Sequence, residues 1–170
     1  NLSRLDRSEE ETAPDASCSV GNNVALDLQW RNGRIWLLGE NSLALAGSDG
    51  SLAADYAYGG RYLKAYSMGG DGFAALLLGK YRGGSAASLE VVDAEGQVSA
   101  SVDLSDQVLS LSAAGRYICV LTAGKLTIYT QDLTVYNTLD SVQGARQAIQ
   151  RADGSVMLID AESARLYIPG

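Results

Sequence analysis

Histidine is absent from this 170-residue chain. That absence removes the commonest general base, the Ser-His and Cys-His nucleophilic pairs, and the usual zinc and copper sites. Carboxylate, Tyr, Lys and Arg chemistry is what remains. No apolar run approaches the roughly 18 residues of a membrane span, and no charged segment followed by an apolar stretch reads as a secretory signal. Basic clusters are missing too: 13 Lys and Arg stand against 20 Asp and Glu, giving a net charge of -7 and a pI near 4.5. A nucleic-acid binder must neutralise phosphates with a clustered basic face, so nucleic acid is excluded as a partner. The two cysteines, Cys18 and Cys119, lie far apart in apolar or Ser-rich strand patterns and read as free, buried thiols. A single pair does not fix the redox compartment. Two prolines against 19 glycines fit tight turns that need positive φ, and do not fit a linker or collagen-like composition.

What the chain does contain is short runs of Val, Leu, Ile, Tyr and Thr separated by Gly, Asp, Asn and Ser, within an ordinary 46% apolar content. Helix formers do not recur at 3.6-residue spacing over any long window, so the pattern is all-β. Four segments share one profile, an alternating run, a glycine turn, then a more continuously apolar run: Val24 to Leu38, Tyr62 to Leu78, Val108 to Leu121 and Arg146 to Ile159. Their marker glycines, Gly33, Gly72, Gly115 and Gly154, are 39, 43 and 39 residues apart. A period near 40 lies in the propeller range. A second hairpin follows in the first three repeats, turning at Asp49-Gly50, at Glu95-Gly96 and, without glycine, at Asp132-Leu133, while the fourth gives ARLYIPG and stops.

The fold class expected is therefore all-β, built from four-stranded antiparallel blades of a β-propeller, about four of them and incomplete at both ends. With strands lettered A to D outwards, full blades cover 24-56, 62-103 and 108-139, inside a single segment 1-170. Residues 1-20 supply only strands C (2-6) and D (16-20) of an earlier blade, with Glu9, Glu10 and Glu11 in their loop, and 146-170 form a partial blade. The B runs, such as Ala74 to Leu78 and Ile118 to Leu121, are apolar on both faces, as a strand packed between neighbouring blades must be. A lone blade cannot offset its own ordering entropy, so each needs neighbours. The missing blades lie in sequence outside this segment, or a second chain supplies them, or the sheets form an open twisted stack. Because the chain begins at Asn1 without Met, a piece of a longer protein is expected.

The series DGFAALLLGKYRGG, LEVVDAEGQVSASVDL, VLSLSAAGRYICVLTAGKLTIY and ARLYIPG resembles the C-terminal half of an uncharacterised propeller-like family, a domain of unknown function from anaerobic Gram-positive bacteria. The resemblance implies an N-terminal membrane helix, not present here, followed by a propeller on the extracytoplasmic side of a surface-anchored protein. It carries no known activity.

Motifs for chemistry are rejected one by one. Gly79-Lys80 lacks the earlier glycine and following hydroxyl of a phosphate loop, since Ala74 and Tyr81 stand there. The glycines around Asp71 precede a strand and read as a turn, where a dinucleotide site must open a helix. Ser48-Asp49-Gly50-Ser51 lacks the Thr-Trp ending of a sialidase Asp box, and Asp6 with Glu9 to Glu11 lacks the ligand alternation of a calcium loop. In a propeller the D-to-A and B-to-C connections share one face, opposite the tight glycine turns. On that face the candidate ligand or partner contacts are Lys80, Tyr81, Arg82, Tyr58, Arg61, Asp106, Arg146 and Glu40, with Asn22, Asn23, Asn41 and Glu162 nearby in register. The long loop Lys80 to Ser85 offers an aromatic between two cations, suited to a polar ligand or an acidic partner, or is simply a solvated connection. Tyr56, Tyr58, Tyr62 and Tyr66 read as half-buried strand aromatics or as a stacking platform for a sugar, and Trp30 and Trp36 as cross-strand core.

The function expected is a non-catalytic scaffold for protein-protein interaction at the bacterial cell envelope, without cofactor or metal. The alternatives are a sensor for a small polar molecule or glycan, and a propeller hydrolase, for which no convergent carboxylate pair is visible. Partners are an unknown protein or polar small molecule, with self-association through open blade edges.

Overall fold

A computed structural model describes residues 2–4 and 16–170, and the elements in them are seventeen β-strands without a helix. No described helix is long and apolar enough to cross a membrane. The acidic loop at Glu9 to Glu11 lies outside the described residues. The chain divides into two compact units, one running to Gly60 and including the turn Ala94–Gln97, the other holding Arg61–Asp93 and Val98–Gly170.

In the first unit a short antiparallel pair, β1 (Leu2–Arg4) and β2 (Ala16–Cys18), precedes a four-stranded sheet in the order β3 (Ala25–Arg31), β4 (Arg34–Gly39), β5 (Ser42–Gly47) and β6 (Leu52–Ala57). The β3–β4 turn is Asn32-Gly33 with φ of 50° and 74°, the left-handed pair that a two-residue hairpin needs to match strand twist. At the β5–β6 turn Asp49 Oδ1 accepts from the Ser51 amide at 3.0 Å and from its hydroxyl at 2.7 Å, while Gly50 takes φ of 80°. Register pairs Leu28 with Leu37 and Trp30 with Ile35, so these four share one face. Cys18 and Val20 pack on the Ile35, Leu37, Ala44 and Ala46 part of it. Trp36 points to the opposite face and is buried, with the Arg31 guanidinium 4.7 Å from its ring centre. Trp30 corrects the core assignment: it lies on the edge strand β3 and is 58% exposed.

The second unit contains two further four-stranded sheets, β7 (Tyr62–Ser67), β8 (Phe73–Gly79), β9 (Ala87–Asp93), β10 (Val98–Leu104), then β11 (Ser110–Ala114), β12 (Tyr117–Leu121), β13 (Leu126–Thr130), β14 (Val135–Leu139). A three-stranded sheet follows, β15 (Gln147–Gln150), β16 (Val156–Ile159), β17 (Ala164–Tyr167). Each sheet is a chain of consecutive antiparallel hairpins. Every residue of β8 and β12 is buried, which is why these runs have no polar alternation, while β10 and β14 are exposed on one face and do alternate. One core joins Phe73, Ala75, Leu77, Leu89 and Val91 to Ile118, Val120 and Tyr129 of the next sheet. Another joins Cys119, Leu121, Leu126 and Ile128 to Ala148, Val156 and Leu158.

First strands expose an edge that must find hydrogen-bond partners. Serines supply them: Ser67 Oγ accepts from the Ala113 amide at 2.9 Å, Ser110 Oγ from Ala148 at 3.1 Å, and Ser112 Oγ from Gln150 at 3.0 Å. These bonds lace β7 to β11 and β11 to β15. The marker glycines Gly72, Gly115 and Gly154 all have positive φ, of 74°, 58° and 89°. At the turn that lacks glycine, Leu133 adopts φ of 59° with its side chain packed on the core.

Candidate functional site

The most elaborated connection in the second unit lies between β8 and β9. Lys64 of β7 lies across Gly79, where a Cβ would meet its Cε at 2.2 Å, and its ammonium donates to the Gly84 carbonyl at 2.5 Å. Only glycine at position 79 leaves room for this strut. The strut holds a loop that carries two cations and an aromatic. Lys80 Nζ sits 5.5 Å from the Tyr81 ring centre, and the Arg82 guanidinium sits 5.2 Å from that of Tyr62. Tyr81 itself is 66% exposed.

Beside the loop is an open pocket of about 470 Å³. Leu78, Ala87 and Leu104 give it an apolar floor, and Arg61, Lys80, Ser88, Asp103 and Ser105 a polar rim. Arg61 is oriented by a buried partner: its guanidinium donates to both carboxylate oxygens of Glu90, at 2.5 Å and 3.3 Å. The Ser88 hydroxyl shares a 2.9 Å hydrogen bond with that of Ser101 on the adjacent strand. Such a rim presents cations, a carboxylate and hydroxyls over an apolar base, the usual chemistry of a polar-ligand site.

The sequence candidates separate in the structure. Arg61 and Lys80 meet at this pocket, with Tyr81 and Arg82 on the same loop. Asp106 and Arg146 are exposed and do not line it. Glu40 and Tyr58 belong to the first unit. Glu40 is exposed, its amide donating to the Val24 carbonyl at 3.0 Å. Tyr58 is corrected from surface contact to core: its side chain is fully buried and its hydroxyl donates to the Gly39 carbonyl at 3.1 Å. Burial pushes that phenol far above its ordinary range. Tyr56 and Tyr58 are tilted at 57°, with centroids 6.1 Å apart, and present no flat platform.

Sequence reasoning missed Glu90, Ser88 and Asp103. A readable signal existed for the first: a carboxylate inside the apolar run Leu89-Glu90-Val91-Val92 calls for a buried cationic partner. Among the described residues no group of three or more Cys, Asp or Glu could hold a metal ion. Carboxylates held below their ordinary range, Asp49, Asp132, Asp153 and Asp160, accept hydrogen bonds from Ser, Thr or backbone groups in turns. None of the four lines the pocket.

No family model matches the chain, and no curated protein matches its sequence. Solved structures do match its architecture. The computationally designed Ika4 protein superposes with a TM-score of 0.65 at 12% identity, over 94% of this chain and 100% of that one. BBS1N, solved in complex with ARL6DN, gives 0.61 at 10% identity over 91% and 55%. The WD40 β-propeller domain of Doa1 gives 0.57 at 10% identity over 88% and 52%. The fold is that of a β-propeller. Its sheets are propeller blades, and the chain spans about half the length of the BBS1N and Doa1 propellers. At these identities the likeness is one of fold alone.

Proposed function

We propose that this propeller segment is a non-catalytic scaffold for protein-protein interaction at the bacterial cell envelope, and that the Lys80–Ser85 loop is a contact surface. The observation that carries the reading is the strutted loop: Tyr81 is 66% exposed between two cations, and Lys64 fixes the backbone beneath it at Gly84. Rigid aromatic and Arg side chains supply most of the energy at protein interfaces. Two exposed cations on a chain of net charge -7 also favour an acidic partner. Propellers commonly present such loops to other proteins, and the extracytoplasmic setting follows the family resemblance drawn above. The test is recovery of partners from native cells by the tagged full-length protein and by its Lys80→Glu/Arg82→Glu variant. Loss of a specific partner on charge reversal supports the reading, and identical recovery from both proteins contradicts it.

The pocket supports a second reading, a sensor for a small polar molecule or glycan. Arg61, Lys80 and Asp103 offer both charges within one rim. Titration with neutral and acidic oligosaccharides, followed by chemical-shift changes at Ser88 and Ser105, separates the two readings.

A further inference from the structure

Every residue that lines the pocket of the β7–β10 blade falls between Arg61 and Ser105, inside the second unit. Strand pairing fixes where its charges stand. Leu78, Ser88 and Asp103 are successive partners across β8, β9 and β10, so the backbones of Asp103 and the end of β8 are two strand spacings, about 10 Å, apart. Lys80 follows directly after β8, and Arg61 enters beside it, since Tyr62 pairs with Gly79. Both cations therefore start from one side of the pocket and the carboxylate from the other. Arg61 is engaged with Glu90. Lys80 and Asp103, by contrast, make no ion pair among the described residues. Two opposite charges that share a rim without meeting suit a ligand with the reverse pair, an anionic group for Lys80 and a cationic one for Asp103. Between them stands the Ser88 hydroxyl, which can donate and accept, over an apolar floor that includes Leu78 and Leu104.

Resting on the second reading above, in which this pocket is a ligand site, we propose that it binds a short peptide of two or three residues with both ends free. The peptide carboxylate lies at Lys80, in the positive field of Arg61, its ammonium lies at Asp103, and an apolar side chain covers Leu78 and Leu104. Spacing favours this ligand over its rivals. A free amino acid carries both charges on one carbon, a poor match to groups whose strands stand two spacings apart. An extended chain advances about 3.3–3.6 Å per residue and spans the gap in two or three. A neutral oligosaccharide would cover both charges and give neither a counter-charge. The volume of about 470 Å³ lies in the lower part of the range of small-ligand sites, as so short a peptide requires. The frame is fixed where the carboxylate docks, because the Lys64 ammonium holds the Gly84 carbonyl and with it the loop that starts at Lys80.

Calorimetric titration of the full-length protein with the tripeptide Ala-Ala-Leu reads the affinity, and the same peptide acetylated at its amine or amidated at its carboxylate reads each end. Each block weakens binding about tenfold, the worth of one charge-assisted hydrogen bond. Free leucine binds more weakly than the tripeptide. Asp103→Asn abolishes the cost of acetylation and keeps that of amidation, and Lys80→Gln does the reverse. Both side chains are exposed, so far-ultraviolet circular dichroism is unchanged in the two variants. Equal affinity for blocked and free peptides, or end costs that neither variant moves, overturns the assignment. An oligosaccharide that binds where the peptide does not overturns it too, but leaves the pocket a ligand site. No heat with the peptide or with neutral and acidic oligosaccharides overturns the ligand-site reading itself, and the peptide with it.

Discussion

Arg61 grips Glu90 with two hydrogen bonds, Nη1 to Oε1 at 2.5 Å and Nη2 to Oε2 at 3.3 Å, joining the residue that precedes β7 to the third strand of the same blade. The carboxylate side chain is 8% exposed and the guanidinium 32%. Glu90 is thus a nearly buried anion whose desolvation the Arg61 guanidinium helps to offset, while that guanidinium keeps a flank at the pocket rim.

Arg61→Ala removes the bidentate cation from the nearly buried Glu90 carboxylate. The expected loss is about 2–3 kcal/mol in urea unfolding, less than for a fully enclosed pair because the cation is partly solvated. The double variant Arg61→Met/Glu90→Leu recovers most of it, since an apolar pair of similar volume carries no desolvation cost. A single variant as stable as the wild type would show that the pair contributes nothing.

Gly115→Val lowers stability by about 1–3 kcal/mol, read as a fall in melting temperature. The residue has φ of 58°, and an added Cβ would stand 3.2 Å from Ala152 Cα. Gly83→Val is the control: no positive φ is recorded there and no neighbour lies within 4 Å, so little change is expected.

Much of the architecture was legible because turn chemistry and strand periodicity agree. Asn32-Gly33, Asp49-Gly50 and Asp153-Gly154 are local signals that work without knowledge of the rest of the chain, and Asp153 repeats the Asp49 geometry by accepting from the Ser155 amide at 3.0 Å. The uninterrupted apolar run Phe73 to Leu78 announced a strand buried on both faces. What stayed hidden depends on tertiary neighbours. Leu133 turns with positive φ because its side chain is held by the core, which its residue type gives no reason to expect. Tyr58 and Trp30 exchanged roles through their surroundings: the phenol found the Gly39 carbonyl inside the fold, whereas the indole is 58% exposed on β3. At the site, Lys80, Tyr81 and Arg82 were visible as a loop, but Glu90, Ser88 and Asp103 come from strands whose register alone brings them near.

Cysteine reactivity divides the two thiols. Burial pushes the Cys119 thiol up to about 12, and it is fully enclosed, so iodoacetamide at pH 8 modifies it only on unfolding. Cys18 is half-buried and free, and alkylates in the native protein. One adduct in native conditions and two in denaturant is the expected mass shift. The Cys119 contribution to stability is complete below its ordinary value of 9.0 and is lost as pH rises towards 12.

Acid acts through the turn aspartates. Hydrogen bonds from Ser51, Thr130, Ser155 and Ser163, with turn amides, hold Asp49, Asp132, Asp153 and Asp160 below the ordinary 3.8. A depressed carboxylate stabilises the fold above its unfolded value and loses that contribution as pH falls through the folded one. Stability is therefore level above about pH 5 and declines below about pH 4. Asp153→Asn flattens part of the decline, and a pH profile identical to the wild type would remove Asp153 from the account.

The claim that the Lys80–Ser85 loop is a protein-binding surface meets its most direct test in photo-cross-linking. A benzoyl-phenylalanine placed at Tyr81 of the full-length protein is irradiated in native cells, with the same group at exposed Tyr136 as the control. The account predicts a discrete protein adduct from position 81 that is absent from position 136 and abolished by Lys80→Glu/Arg82→Glu. No adduct from position 81, or equal adducts from both positions, would contradict it.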